Sequence, residues 1–250
     1  MIWLIFIVVM VLSFIIQNKL QSRFEKYSRV PLPSGMTGAQ VAMKMLNDNG
    51  IYDVKVIPAR GMLTDHYNPS TKTVALSEGV YGSRSVAAAA VAAHECGHAV
   101  QHAVSYAPLK MRSALVPVVS FASNIVQWIL LLGIIMVNSV PGLLWFGIAL
   151  FAMTTLFSVI TLPVEVNASQ RAVAWLRSAG VTDSTTSPMA VDALKWASYT
   201  YVIAAIGSLA TLLYVCFHSN GSQTRLMICN IWNGLEKYLP YSDSGSAAFM

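Results

Sequence analysis

Charged side chains are scarce: Asp, Glu, Lys and Arg make up 11% of the 250 residues, against about 25% in an ordinary soluble domain. Cysteine is scarcer still. Cys96, Cys216 and Cys229 show no CxxC spacing, which excludes a disulfide-rich secreted module and leaves Cys96 as a small packing residue. No internal repeat or low-complexity tract is present, and 55% of the residues are hydrophobic, so disorder and collagen-like fibres are excluded. What is plentiful is uninterrupted apolar chain. Mean hydropathy is +0.57, and residues 2–16, 117–137, 141–162 and 198–217 contain no charged side chain. The last three have the roughly 20 residues that a helix needs to cross about 30 Å of hydrocarbon. The first is shorter. No basic residue precedes it and no small-x-small cleavage site follows it, so it reads as a retained anchor rather than a signal peptide. The chain belongs in a membrane.

The positions of the cations then matter more than the net charge of +5. Pro117 and Pro141 are expected to open their segments, where a missing N–H costs nothing. Only residues 138–140 separate the second and third apolar segments, so those two spans form an antiparallel hairpin. Segments 18–112 and 163–197 are then on one side, with fourteen of the sixteen Lys and Arg; Arg225 and Lys237 fall on the other. The positive-inside rule places both large polar segments in the cytoplasm. The net positive charge is a topology signal, and no nucleic-acid partner is implied.

Within 18–112 the pattern is that of a small mixed domain. Thr37 caps a helix that stops near Asn49-Gly50. Residues 54–57 alternate like a strand, and 62–67 and 72–76 flank Asn68-Pro69-Ser70-Thr71 as a hairpin. Ser83 or Ser85 caps a long alanine-rich helix running to about Val104. The tail from 218 to 250 is polar, with one amphipathic stretch around Ile228, Ile231, Trp232 and Leu235 that fits the outer membrane surface.

The alanine-rich helix carries His94-Glu95-Cys96-Gly97-His98, an HExxH pattern. At 100° and about 1.5 Å per residue, His98 lies roughly 40° round from His94 and one turn along, so both imidazoles can reach one ion. Glu95 flanks the same face and Cys96 points away. The spacing suits a zinc hydrolase in which two imidazoles bind the metal, the metal lowers the pKa of water, and Glu95 takes the proton. The alternative is a pair of solvated histidines, against which stand the small apolar neighbours. A third protein ligand is needed. His102 continues the row but is about 12 Å along the helix from His94, and fits a supporting, substrate-facing or interfacial place. The longer pattern HExxHxxGxxH would need a glycine and a histidine where the chain has Gln101 and Val104, so that class is excluded. Glu165 stands 67 residues beyond the motif, where the third span re-enters the cytoplasm, and the topology brings a carboxylate to the side and depth of the metal. Its other reading is an ion pair with Arg171.

Residues 63–69 (LTDHYNP), 92–101 (AAHECGHAVQ), 162–172 (LPVEVNASQRA) and Thr200-Tyr201 occur in this order, and across roughly residues 30–215 the chain resembles the YugP-like neutral zinc metallopeptidases of bacterial membranes. It is similar, more distantly, to the HtpX-type membrane gluzincins, whose ExxAD motif supplies the third ligand. Glu165, Ala168 and Ser169 occupy that pattern, with Ser169 in place of the acid. The resemblance implies zinc held by His94, His98 and Glu165, with Glu95 as the base, in a bacterial cytoplasmic membrane with the active site facing the cytoplasm. A serine cannot supply the carboxylate that often orients a ligating histidine. Asp65 and His66 read either as an imidazole orienter and an oxyanion donor or as members of a turn. Tyr199 and Tyr201 read as oxyanion donors or as interfacial aromatics. Arg171 reads as a partner for Glu165 or an acidic substrate group, or as a helix-end anchor.

The expected fold is a membrane protein, mainly α-helical, with four transmembrane helices and a small α+β zincin-like cytoplasmic domain. The organisation is an anchor at 1–17, a polar segment with the HExxH helix at 18–112, a transmembrane hairpin at 113–162, a cytoplasmic segment with the third ligand at 163–197, a span at 198–217 and a polar tail at 218–250. The expected activity is a zinc metalloendopeptidase acting on membrane or membrane-associated proteins or peptides beside the lipid bilayer. A metal transporter is the rival from another class, against which stands the lack of ionisable groups in all four spans. A non-catalytic scaffold is the third.

Overall fold

The computed structural model describes residues 2–61, 64–136 and 139–218. The amphipathic tail stretch, Cys229, Arg225, Lys237 and Leu63 of the first motif lie outside the described residues. Seven helices and three strands follow the order α1 (Ile2–Ser28), α2 (Gly38–Asp48), β1 (Lys55–Ala59), β2 (His66–Asn68), β3 (Thr73–Ser77), α3 (Glu78–Tyr81), α4 (Val86–Ala103), α5 (Ala107–Ile135), α6 (Pro141–Ser178) and α7 (Ser187–His218). Four of them, α1, α5, α6 and α7, are long and apolar enough to cross a membrane; α1, α6 and α7 contain the charge-free segments 2–16, 141–162 and 198–217, and α5 holds 117–135 of the fourth.

Helix starts follow local chemistry. Thr37 and Gln40 form a reciprocal capping box at α2, and Ser85 accepts from the Ala88 N–H at α4. Pro141 opens α6 as expected, with Pro in the first turn. Pro117 does not open α5. That helix begins at Ala107, with Pro108 in its first turn, and Pro117 lies inside it. The onset of apolar sequence is not the start of the helix, because residues 107–116 are already helical. Pro163 is likewise inside α6. Every boundary between an apolar segment and its polar neighbour, at 17, 112, 162 and 197, falls within a continuous helix.

The small sheet has the order β1-β3-β2. β1 runs parallel to β3, and β2 pairs antiparallel to it, with His66 opposite Ala75 and Asn68 opposite Thr73. Asn68 shapes the hairpin turn by accepting from the N–H groups of Ser70 and Thr71, a side chain standing in for backbone. α4 is the centre of the polar domain. It packs on α2, α6 and α7, with β2 and β3 also against it, and its alanines are buried along nearly its whole length. Short side chains let those neighbours approach closely. At Gly97 an added Cβ would stand 2.7 Å from the Ala168 carbonyl oxygen, so α4 and α6 touch backbone to backbone. Cys96 is buried on another face and meets the Ala42 carbonyl on α2.

The α5–α6 hairpin is closed at both ends. Near its turn, a Cβ on Gly133 would stand 2.8 Å from the Leu144 Cα; at the far end Arg112 meets Glu165. α1 exposes Leu4, Ile7, Val8 and Val11, the surface expected of a helix against lipid. Its polar end is pinned to α7 by the Tyr27 hydroxyl, which donates to Asp192 at 2.7 Å, with Arg23 on the same carboxylate oxygen at 3.3 Å.

Candidate metal centre

α4 presents His94 and His98 one turn apart, and their rings meet edge to face with centroids 4.8 Å apart. α6 crosses at Gly97 and brings Glu165, one turn before Ala168, against both rings. Glu165 Oε2 is 3.3 Å from His94 Nε2 and 3.5 Å from His98 Nε2. The ligand atoms of these three residues lie within 4.8 Å of one another, and the Glu165 side chain is 4% exposed.

The hydrogen-bond directions on the far sides of the rings decide what the near sides offer. His98 Nδ1 is 3.1 Å from Gln101 Oε1. The Gln101 amide nitrogen is committed to two acceptors, the Val164 carbonyl at 2.8 Å and Asn167 Oδ1 at 3.0 Å, so its oxygen faces His98 and His98 Nδ1 carries the proton. His94 Nδ1 is 3.1 Å from Ser169 Oγ. Ser169 Oγ is also 3.5 Å from Ser198 Oγ, whose hydroxyl donates to the Leu194 carbonyl. Both imidazoles thus turn Nδ1 to an outer partner and Nε2 toward the Glu165 carboxylate. Two imidazole nitrogens and a carboxylate oxygen so gathered are a set that could hold a metal ion. The spacing also fits: metal–ligand bonds of about 2.0–2.2 Å at tetrahedral angles put ligand atoms about 3.4 Å apart, close to the 3.3 and 3.5 Å found. The donor set of two imidazoles and a carboxylate suits zinc, and the residues fit it.

Glu95 lies beside this set. Burial pushes its carboxyl up to about 7, the charges of Glu165 and Asp65 push the same way, and His94 and a hydrogen bond from the Tyr67 N–H oppose them. That last contact ties α4 to β2. Asp65 is occupied elsewhere: it accepts from the Ser77 N–H at 2.8 Å and from the Ser77 hydroxyl, and burial raises its carboxyl. The imidazole-orienting bonds are those of Gln101 and Ser169. His66 Nδ1 faces the Thr64 carbonyl at 2.8 Å and so donates to it. Tyr201 on α7 brings its hydroxyl to Glu165. Tyr199 stacks edge-on with Trp196 and lies under Lys195. His102 is outside the metal set, with Nδ1 2.9 Å from the Tyr67 hydroxyl.

The cation beside Glu165 is Arg112, whose Nη1 is 3.5 Å from Glu165 Oε1. Arg171 does not pair with Glu165; its Nε donates to Asn167 at 2.8 Å. It joins the chain Arg171–Asn167–Gln101–His98 and acts on the centre through three intermediaries. Gln101, Arg112 and Ser198 are site residues that the sequence reading did not assign. A fully buried glutamine in an alanine-rich helix, three residues past a ligand histidine, was the one available signal.

Two comparisons with known proteins converge on this centre. The family described as "Putative neutral zinc metallopeptidase" matches residues 2–220. The chain is 47% identical over 211 residues, covering 84% of this chain and 93% of the relative, to a protein of Bacillus subtilis (strain 168) named "Putative membrane protease YugP". No solved structure matches the chain. A match over nearly the whole length, with two histidines and a glutamate gathered as a metal-binding set, makes the chain a member of the neutral zinc metallopeptidase family.

Proposed function

We propose that the protein is a zinc-dependent metalloendopeptidase of the cytoplasmic membrane, hydrolysing peptide bonds of membrane or membrane-associated proteins at the cytoplasmic face. The observation that carries this reading is the convergence of two imidazole Nε2 atoms and a buried carboxylate oxygen on one point. His94, His98 and Glu165 would hold the ion. A zinc ion there supplies Lewis acidity, lowering the pKa of water and polarising a peptide carbonyl.

The remaining work falls to this chain's own groups. Glu95 takes the proton from the attacking water and returns it to the leaving amine, a task suited to a carboxyl pushed up to about 7 and so matched to neutral pH. The Tyr67 N–H holds that carboxylate in place. Gln101 and Ser169 keep the ligand imidazoles in the tautomer that presents Nε2, as outer hydrogen bonds do in metal sites generally. Donors for a developing oxyanion are available from the Tyr201 hydroxyl and the Arg112 guanidinium, both beside Glu165. The cytoplasmic face is argued from the fourteen cations on one side of the hairpin.

The test is to purify the full chain in detergent, measure zinc per chain, and follow cleavage of an unfolded membrane substrate by the wild type and Glu95→Gln. Expected are about one zinc per chain in both, the stoichiometry of a single three-residue site, and cleavage by the wild type alone. Equal cleavage would remove Glu95 from the mechanism, and undiminished zinc in Glu165→Ala would remove the third ligand.

A further inference from the structure

The centre is built where three long helices change from polar to apolar, each contributing one residue from that boundary. In α5, Arg112 is the last charged residue before a charge-free run to the helix end at Ile135; in α6, Glu165 is the first after a charge-free run from Pro141. These two runs are matched. At about 1.5 Å per residue each is about 35 Å long, and the 3.5 Å contact of Arg112 with Glu165 sets their ends level. A hydrocarbon core is about 30 Å thick, so with the turn end of the hairpin at one edge, Glu165 lies about 5 Å beyond the other. In α7 the last charge is Lys195, and Tyr201 stands six residues into the apolar run, yet its hydroxyl meets Glu165. The Tyr201 side is open: the residue is 37% exposed, so the centre lies one side chain's depth from the lateral surface of the helices. α5, α6 and α7 each continue as one helix between the apolar run and the site residue, with Pro117 inside α5 and Pro163 inside α6.

Resting on the peptidase reading above, we propose that distance from the bilayer selects the scissile bond: the substrates are membrane-anchored proteins, cut within the first few residues beyond the end of a transmembrane span. An extended chain advances about 3.4 Å per residue, so a centre about 5 Å past the hydrocarbon edge meets roughly residues one to four after a span. A segment held further out has to bring its backbone down into the headgroup layer to be cut, and a soluble peptide has to do so without a tether.

The experiment uses the full chain with zinc in phosphatidylethanolamine–phosphatidylglycerol vesicles. The substrates carry one polyleucine span followed by a repeating, unstructured five-residue cassette, so that the same bond recurs at many distances. Cut sites are read by mass spectrometry. Expected are cuts confined to the first few residues past the span, which move outward with the span edge when leucines are added, and at least tenfold slower cleavage when a Gly-Ser linker of about fifteen residues separates span and cassette. Cuts that follow the cassette irrespective of distance, or a detached soluble cassette cleaved within twofold of the tethered one, overturn the distance rule while leaving the peptidase reading intact, provided that Glu95→Gln is inactive. No cleavage of any substrate by zinc-loaded protein overturns both.

Discussion

Replacing Gly97 by alanine tests the α4–α6 contact on which the metal centre depends. A Cβ at that position would stand 2.7 Å from the Ala168 carbonyl oxygen and 3.2 Å from the Ala168 Cα and carbonyl carbon, where ordinary contact starts at 3.4 Å. All three atoms are backbone, so no rotamer change relieves the clash and the two helices have to part by about 0.7 Å. Gly97 adjoins His98 and is one turn from His94, and Ala168 adjoins Ser169 and is one turn from Glu165, so the opening falls in the middle of the ligand set. Metal–ligand distances tolerate about 0.2 Å. A parting several times that size stretches the 3.3 and 3.5 Å imidazole–carboxylate separations and weakens the Ser169–His94 bond.

The cost in fold stability is smaller than the cost in metal binding. Overpacking costs about 1–3 kcal/mol, partly offset by the roughly 1 kcal/mol by which alanine is favoured over glycine inside a helix. The expected outcome is therefore a folded, helical Gly97→Ala protein unfolding a few degrees lower, with zinc affinity reduced at least tenfold. Competition against a graded series of chelators measures the affinity, and thermal unfolding of the same preparation measures the stability. Gly79→Ala is the control, since a Cβ there meets nothing within 4 Å. Zinc affinity in Gly97→Ala within twofold of the wild type would refute the reasoning, because α4 and α6 would then not be held at contact by that glycine.

Two further outcomes follow from the groups around the imidazoles. Gln101→Leu keeps the buried volume but removes the acceptor for His98 Nδ1, and zinc affinity is expected to drop about 10–100-fold; an unchanged affinity would mean that the tautomer is held by something else. Glu95 must be ionised to act as a base, so with its carboxyl pushed up to about 7 the rate falls with acidity, about tenfold per pH unit on the limb. Bound zinc favours the carboxylate and moves that limb below 7. The metal-free protein has the opposite dependence: Glu95 holds a proton that the unfolded chain gives up near 4.5, so stability declines as pH rises from 4.5 to 7. A pH–rate profile flat across that interval would exclude Glu95 as the base, and a metal-free melting temperature rising across it would exclude the buried, protonated Glu95.

The elements written in local chemistry were legible in the sequence. Thr37 and Ser85 announce their helices by capping, and Asn68-Pro69 announces the β2–β3 turn. The four apolar segments all fall in membrane-length helices. Less legible was where those helices stop, because charge marks the edge of a membrane while helical hydrogen bonding continues across it. Pro117 shows the difference: it sits where the apolar run begins, ten residues inside a helix that has already started. α3 had no signal at all, being a single turn capped without a side-chain bond.

For the site, spacing located the two histidines and chain topology located Glu165, since both arguments depend only on which helix face or which side of a bilayer a residue occupies. The outer partners depend on which atoms meet across α4 and α6, and no periodicity encodes that. Ser169, noted in the sequence as a missing acid, meets His94 Nδ1 with its hydroxyl at 3.1 Å. Gln101 was seen only as the wrong residue for another zinc class. The pairing of Arg171 with Glu165 could have been discounted from helix geometry alone. Six residues at 100° each leave Arg171 about 120° off the face of Glu165 and about 9 Å along, whereas Asn167, at i−4 from Arg171, is its neighbour on the same face and receives its hydrogen bond. The cation that does reach Glu165 comes from α5, across a hairpin whose two arms are equally long. Arg112 is thus placed by the matching of apolar lengths in the two arms, and its contact with Glu165 measures how closely they agree.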